Sequence, residues 1–560
     1  MDAPDADLVL YNAKILTLDA TNPFAQLVAV RDRTIVHVGP HEDIQYFQGC
    51  RRTVDCGGKT VIPGFHDAHV HIMSHASRLV SVDCSPTSVK SIAEIQEKIR
   101  SHAQRLPSGT WIRAAGYNEF YLAERRHPTR HDLDLAAPHH PVRLTHRSLH
   151  ASVLNSLALS RAGIGNETEE PPGALIEREL DTGEPDGLLV GMETFLSESV
   201  VPPLTEAVLH EGLRLASEDF LRAGITSVQD ATVSNGPEQW QTFQAIKLRG
   251  LFGPRLCMMT GSHALREMAA SGLHPRAGDD DLRLGPVKLT LDEVSGRLNP
   301  SQAELNEDTL GAHRAGHQVA IHAVEENTVE AAARAIGYCL EKSPRTGHRH
   351  RIEHCSVCPP RLLEELESLG VVIVTQPAFI FYSGERYLKE VDPQSLPWLY
   401  RVRAFLDRGL AVAGSSDCPV VPCSPLAGVY AAVTRKAAGG DVLSGEEAVD
   451  VETALDLFTA RAAFSVFEEN VKGTIEPGKL ADLAVLSADP TAVEQGLLKD
   501  IQVEMTVIDG RIAWERGGSG QGLNHDGAYN LEENDRHNGA DIDSAQRGYD
   551  PAKRPQDRLR

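Results

Sequence analysis

The chain of 560 residues contains no run of five or more lysines and arginines, and its formal net charge is -23. A surface of that sign repels a phosphate backbone, so binding to nucleic acid is excluded as a main activity. No apolar run reaches the ~18 residues that a membrane-spanning helix needs. No Gly-rich nucleotide loop follows the first strand-like segment, which argues against a dinucleotide-binding sheet. The nine cysteines are scattered and odd in number, as in a reduced compartment rather than a disulfide framework. Cys355 and Cys358 make a lone CxxC without a second pair at zinc-finger spacing. The opening "MDAPDADLVLYNAKILTLD" lacks the basic-then-apolar order of a secretory signal, so a cytoplasmic location is expected.

What is present is ordinary globular composition with two rhythms. The first sixty residues alternate as short strands ("DLVLYNAKILTLD", "AQLVAVRDRTIVHVG"), and similar material returns in "GTIEPGKLADLAVLS" and "EMTVIDGRIAW", the latter with Asp-Gly at a hairpin turn. One β-sandwich built from residues 1–61 and 471–515 is therefore expected. Between them, amphipathic helical stretches such as "TEAVLHEGLRLASEDFLRAG" and "NTVEAAARAIGYCLEK" alternate with short apolar runs such as "GITSVQD", "GPVKLTL", "HQVAIHAV", "LGVVIVTQPAF" and "GLAVAGSSD". That is the pattern of βα units around a buried parallel sheet. The fold class expected is α/β, with a distorted (β/α)8 barrel over residues 62–470 and an insertion at about 78–200. Residues 516–560 are nearly devoid of apolar side chains and read as a disordered tail.

"VIPGFHDAHVHIMSH" places four histidines and an aspartate within ten residues. On an extended backbone His69 and His71, at i,i+2, point to the same side and can share one ion. Catalytic side chains of a barrel sit at the C-terminal ends of its strands, and there the sequence repeatedly places metal-competent groups. The run "HQVAIHAV" ends on His322, "HRIEHCS" on His354 and "LAVAGSSD" on Asp417, while Lys288 interrupts an apolar strand. Imidazole and carboxylate are the donors of a hydrolytic zinc or similar ion. Each residue alone has a plainer reading: a hydrogen-bonded strand-end histidine, a helix-capping Asp417, a lysine snorkelling outwards from position 288. The 24 histidines also make isolated matches expected, and His75, His139 and His140 are read that way. Four βα units ending in metal-competent groups outweigh the separate coincidences.

In these residues the chain resembles the amidohydrolase superfamily of metal-dependent hydrolases, and within it the amidohydrolase-3 branch that includes N-substituted formamide deformylases. "PGFHDAHVH" is similar to the PGxxDxHxH signature, and the order HxH, Lys, His, His, Asp recurs across the barrel. "GYNEFYLAERRHPTRHDLDLAAPHHPVRLTHRSLHASVLNSLAL" looks like that branch's insertion, and "AAVTRK" and "GTIEPGKLADLAVL" are further family-like pieces. The likeness runs from about residue 7 to 514. It implies that His69, His71 and Asp417 bind one ion, that His322 and His354 hold a second, and that Lys288 bridges the two as a carbamate formed with CO2. The chain departs from the branch just after Lys288, where "LDEVSG" brings Asp292 and Glu293 to the pocket wall.

The expected activity is metal-dependent hydrolysis of a non-peptide C–N bond in a small amide, with an N-substituted formamide as the leading substrate. A cyclic amide, a carbamate or an aminohydrolase substrate is the alternative, and a non-catalytic metal-stabilised scaffold the remote one. One or two divalent ions are expected, zinc being favoured by the nitrogen donors, with iron, manganese, cobalt and nickel open. Asp417 is the expected proton carrier and His322 its alternative. Tyr117, Asn118, Arg147 and His150 of the family-like insertion, with Phe379 and Trp398 after an apolar strand, are the candidate substrate contacts. The acidic surface leaves a homodimer interface open.

Overall fold

The computed structural model describes residues 6–294 and 297–518, apart from the side chains of residues 292–294 and 297. The sequence departure at Asp292 and Glu293 therefore lies outside the described side chains, and of the tail expected over residues 516–560, residues 519–560 lie outside the described residues. Among the described residues, no helix is long and apolar enough to cross a membrane.

Eight strands pair in parallel in chain order: β1 (Phe65–Val70), β2 (Ile225–Asp230), β3 (Arg255–Gly261), β4 (Leu282–Thr290), β5 (Val319–Ala323), β6 (Arg351–His354), β7 (Val372–Thr375) and β8 (Ala411–Gly414). The barrel's ends meet just beyond β8, where Val70 bridges Cys418 in parallel. Asp417 N donates to His69 O at 2.9 Å and His71 N to Cys418 O at 2.8 Å, continuing the ladder across this seam. Ala68, Val372, Val374 and Ala413 pack together from β1, β7 and β8 and bury the same junction. This is the α/β barrel expected from the alternation of apolar runs and amphipathic helices.

Local sequence explains the units around the barrel. Between β4 and β5, helix Gln302–Arg314 starts at Ser301, whose side chain accepts from Glu304 N while the Glu304 carboxylate accepts from Ser301 N; this reciprocal cap satisfies two otherwise orphaned donors. Helix Glu326–Lys342 buries Val329, Ala332, Ala333 and Ile336, one face at three- and four-residue spacing. Gly64 before β1 is required by packing: a Cβ there would stand 2.3 Å from Thr226 Cγ2 and Oγ1 on β2.

Strands from both ends of the described chain form two further sheets. Leu8–Tyr11, Leu27–Arg31, Thr34–Gly39 and Arg52–Asp55 make one of them. Lys14–Leu16, Phe24–Ala25, Thr60–Pro63, Leu483–Leu486, Val503–Ile508 and Arg511–Glu515 make the other. Leu10, Val28, Val30, Val61, Leu483, Val485 and Val507 close a common apolar core. A six-stranded sheet spanning Val82–Val190 lies in sequence between β1 and β2 and has its own core of Ile95, Ile99, Ile112, Leu133, Leu144 and Val153.

Candidate metal centre and active site

The barrel brings the strand-end residues together. The donor atoms of His69, His71 and Asp417 lie within 4.8 Å of one another. Asp417 Oδ1 is 3.3 Å from His71 Nε2 and 3.6 Å from His69 Nε2. Lys288 Nζ lies 3.5 Å from His69 Nε2. The His354 ring sits 4.9 Å from that of His69 and 4.4 Å from that of His322, centroid to centroid. All six residues expected from the strand ends thus converge on one end of the barrel.

The hydrogen bonds behind these rings decide what faces the centre. His69 Nδ1 lies 2.5 Å from Glu353 Oε2; a carboxylate only accepts, so Nδ1 carries the proton and Nε2 presents a lone pair. Gln376 Nε2 donates to Ser415 Oγ at 2.9 Å, which orients Gln376 Oε1 to accept from His354 Nδ1 at 2.8 Å. His354 Nε2 is then also a lone pair, buried without a partner, and Asp417 Oδ1 faces only the rings of His69 and His71. Burial holds His69 and His322 well below the ordinary imidazole range, and burial likewise lowers His354. Neutral imidazoles and a carboxylate turning lone pairs to one point repel each other unless a cation stands between them. The donor set therefore fits a divalent ion.

Glu353 is held in turn. Arg351 Nε donates to Glu353 Oε1 at 2.7 Å, and its terminal nitrogen donates to Glu353 Oε2 at 2.9 Å and Ala68 O at 3.0 Å. Arg351 and Glu353 are both fully buried on β6, and Arg351 also donates to Gln229 on β2. Asp67 Oδ1 accepts from His69 N at 3.3 Å and from Ser416 N at 3.0 Å, tying β1 to the segment that carries Asp417. Sequence reasoning missed Glu353, Arg351 and Gln376. The signal for the first two was two opposite charges at i,i+2 in the otherwise apolar "RIEH".

Backbone strain concentrates at the ligands. His354 has φ +70° and Asp417 φ +58°, the left-handed region that costs a non-glycine residue on the order of 1–3 kcal/mol. Each turns a side chain at a strand terminus that extended geometry would direct elsewhere. Burial pushes Lys288 down to about 8. For Asp417 burial acts upward, but the His71 hydrogen bond and the neighbouring imidazoles outweigh it and bring the carboxyl below the ordinary range.

The candidate substrate contacts are distributed unevenly. The His150 ring lies 6.1 Å from that of His322. Arg147 donates to Ser383 Oγ at 3.0 Å and reaches Tyr382 O at 3.5 Å, anchoring the insertion to helix Ala378–Glu390. Tyr117 is fully buried with its hydroxyl 2.9 Å from His127 Nδ1, and Asn118 Oδ1 accepts from Phe120 N at 3.0 Å. Phe379 and Trp398 pack on an apolar cluster of Val357, Ile380, Leu399 and Tyr400.

Comparison with known proteins agrees with this geometry. The chain is 30% identical over 541 residues to an N-substituted formamide deformylase of Arthrobacter pascens, covering 92% of this chain and 99% of that protein. It is 28% identical over 521 residues to the protein LONG AFTER FAR-RED 3 of Arabidopsis thaliana, covering 86% and 88%. Among solved structures, an uncharacterised metal-dependent hydrolase of Pyrococcus horikoshii shares the fold with a TM-score of 0.69 at 24% identity, over 87% of this chain and 99% of that one. Residues 52–513 match the profile of the amidohydrolase family. With that match spanning the barrel and its metal-competent strand ends, the chain belongs to the amidohydrolase family.

Proposed function

We propose that this enzyme, a metal-dependent hydrolase of carbon–nitrogen bonds other than peptide bonds, acts on an N-substituted formamide, releasing formate and an amine. The observation that carries the substrate is the near full-length similarity to the Arthrobacter pascens deformylase. His69, His71, His354 and Asp417, with His322 beside them, are the donors for the ion, and three or more imidazoles favour zinc. A divalent ion held there would polarise the amide carbonyl and acidify water. Asp417 takes a proton from the attacking water and returns it to the leaving nitrogen, so water adds across the C–N bond without net change in protons. His150, beside His322, orients the amide, and Arg147 supports it by anchoring the insertion to helix Ala378–Glu390.

The test is turnover by the purified chain of a panel of N-alkyl and N-aryl formamides, aryl acetamides, carbamates and cyclic amides. Formamides are expected to show the highest kcat/KM, with formate as product. A cyclic amide or carbamate hydrolysed faster than every formamide would transfer the assignment to that substrate class.

Lys288 belongs to the same reading, as a carboxylated bridge between two ions. Its position beside His69 suits this, since an ammonium repels a cation whereas a carbamate offers two oxygens. Lys288→Ala is expected to hold one ion per chain fewer than the parent, measured on both by elemental analysis after gel filtration. A metal content equal to the parent's would remove the bridge.

A further inference from the structure

Asp417 faces the imidazoles of the catalytic centre, whereas its neighbour Cys418 faces away from them. Val70 and Cys418 form the bridge that joins the two ends of the barrel. Cys418 accordingly meets helix Ile72–Leu79, which begins directly after His71. There the donor atoms of His75, Cys418 and Cys423 lie within 4.8 Å of one another. Cys418 is 1% exposed and His75 6%, while Cys423 is partly exposed and leaves a path from solvent. Neither ring nitrogen of His75 has a hydrogen-bond partner, an uncommon state for a histidine so deeply buried. Asp219 Oδ2 stands 3.5 Å from His75 Nε2, the kind of carboxylate that orients a ligand histidine.

The second buried histidine–cysteine group of the described residues shows the contrast. His313 Nδ1 lies 2.8 Å from His350 Nε2, His313 Nε2 lies 2.7 Å from Ser343 O, and His350 Nδ1 accepts from Val319 N at 3.0 Å. Cys339 Sγ faces Ile336 O at 3.1 Å. Those ring nitrogens are already satisfied within the core. At His75 they are not.

We infer that His75, Cys418 and Cys423 form a second cation site, separate from the catalytic centre, that takes one soft divalent ion such as zinc through two thiolates and an imidazole. Two sulfurs and one nitrogen are a soft donor set, unlike the nitrogen and oxygen donors around Asp417. Binding releases the two thiol protons to solvent and leaves a fourth position for water. The ion clips the loop after β8 to the helix after β1, across the seam where the barrel closes with few backbone bonds. It thereby fixes the backbone that carries Asp417.

The test uses the full chain, stripped of metal by a chelator, kept reduced and titrated with cobalt(II). Thiolate ligation gives a sulfur-to-cobalt charge-transfer band in the near ultraviolet, which the catalytic donors cannot produce. The band is expected to rise as cobalt is added and to level off with one thiolate-bound ion per chain, present in Asp417→Asn and Cys339→Ser and absent in Cys423→Ser and Cys418→Ser. Losing a thiolate should weaken this site by more than the about 10–100-fold typical of losing an outer partner. Absence of the band from the cobalt-loaded wild type, or its survival in both cysteine variants, would overturn the site. Should Cys418→Ser fail to fold, the unaltered chain still decides: zinc is expected to slow alkylation of Cys423, and undiminished labelling counts against the proposal.

Discussion

Asp417→Asn is expected to leave the fold intact and to lower kcat by at least ~100-fold, the scale of a lost proton-transfer group. The amide matches the carboxylate in size, so the backbone hydrogen bond from Asp417 N to His69 O survives. What disappears is the charge that His69, His71 and His354 face, and with it the proposed acceptor of the water proton. Asp417 is held below the ordinary carboxyl range because the His71 hydrogen bond and neighbouring imidazoles outweigh burial, so it is a charged base throughout the neutral range. Turnover should be measured beside the thermal midpoint and metal content. Near-parental kcat with a full complement of metal would remove Asp417 from the proton transfer.

The second large effect is on stability. Arg351→Ala strands Glu353, a fully buried carboxylate on β6, and takes donors from Ala68 O and Gln229. Breaking a buried ion pair on one side typically costs about 3–5 kcal/mol, which should appear as a lower midpoint of urea unfolding with metal present. Replacing both members, as in Arg351→Met with Glu353→Gln, is expected to recover much of that loss, because no charge is left unpaired. The double variant should nevertheless bind metal about 10–100-fold more weakly, since His69 Nδ1 loses its carboxylate. An unchanged urea midpoint in Arg351→Ala would show that the pair contributes nothing to the barrel.

Much of the fold was legible because burial periodicity is local. Runs such as "HQVAIHAV" and "GLAVAGSSD" have no room for a polar face, so they read as strands of a covered parallel sheet, and the helices between them show an apolar stripe. The ligands were legible for the same reason: His322 and Asp417 stand where an apolar run stops, and barrel chemistry lives at that end. Glu353 was not legible as a partner of His69, although it adjoins His354, because strand alternation gives a face and not a contact. Tyr117 and Asn118 showed the converse. Their place in the family-like insertion suggested substrate contact, and the structure shows His127 and the turn at Phe120 engaging their polar groups inside the insertion.

The sequence by itself determined the α/β alternation, the paired imidazoles of His69 and His71, and the order of donors along the chain, all of which follow from spacing within one strand or helix. Only the tertiary structure decided which nitrogen of His69 and His354 faces the centre, and that His75, set aside as a chance histidine, meets Cys418 and Cys423. Those outcomes depend on how β1 faces β6 across the barrel and how it meets the segment after β8. Such register is set by the closure of the whole barrel, because the energy of each pairing comes from residues hundreds of positions apart.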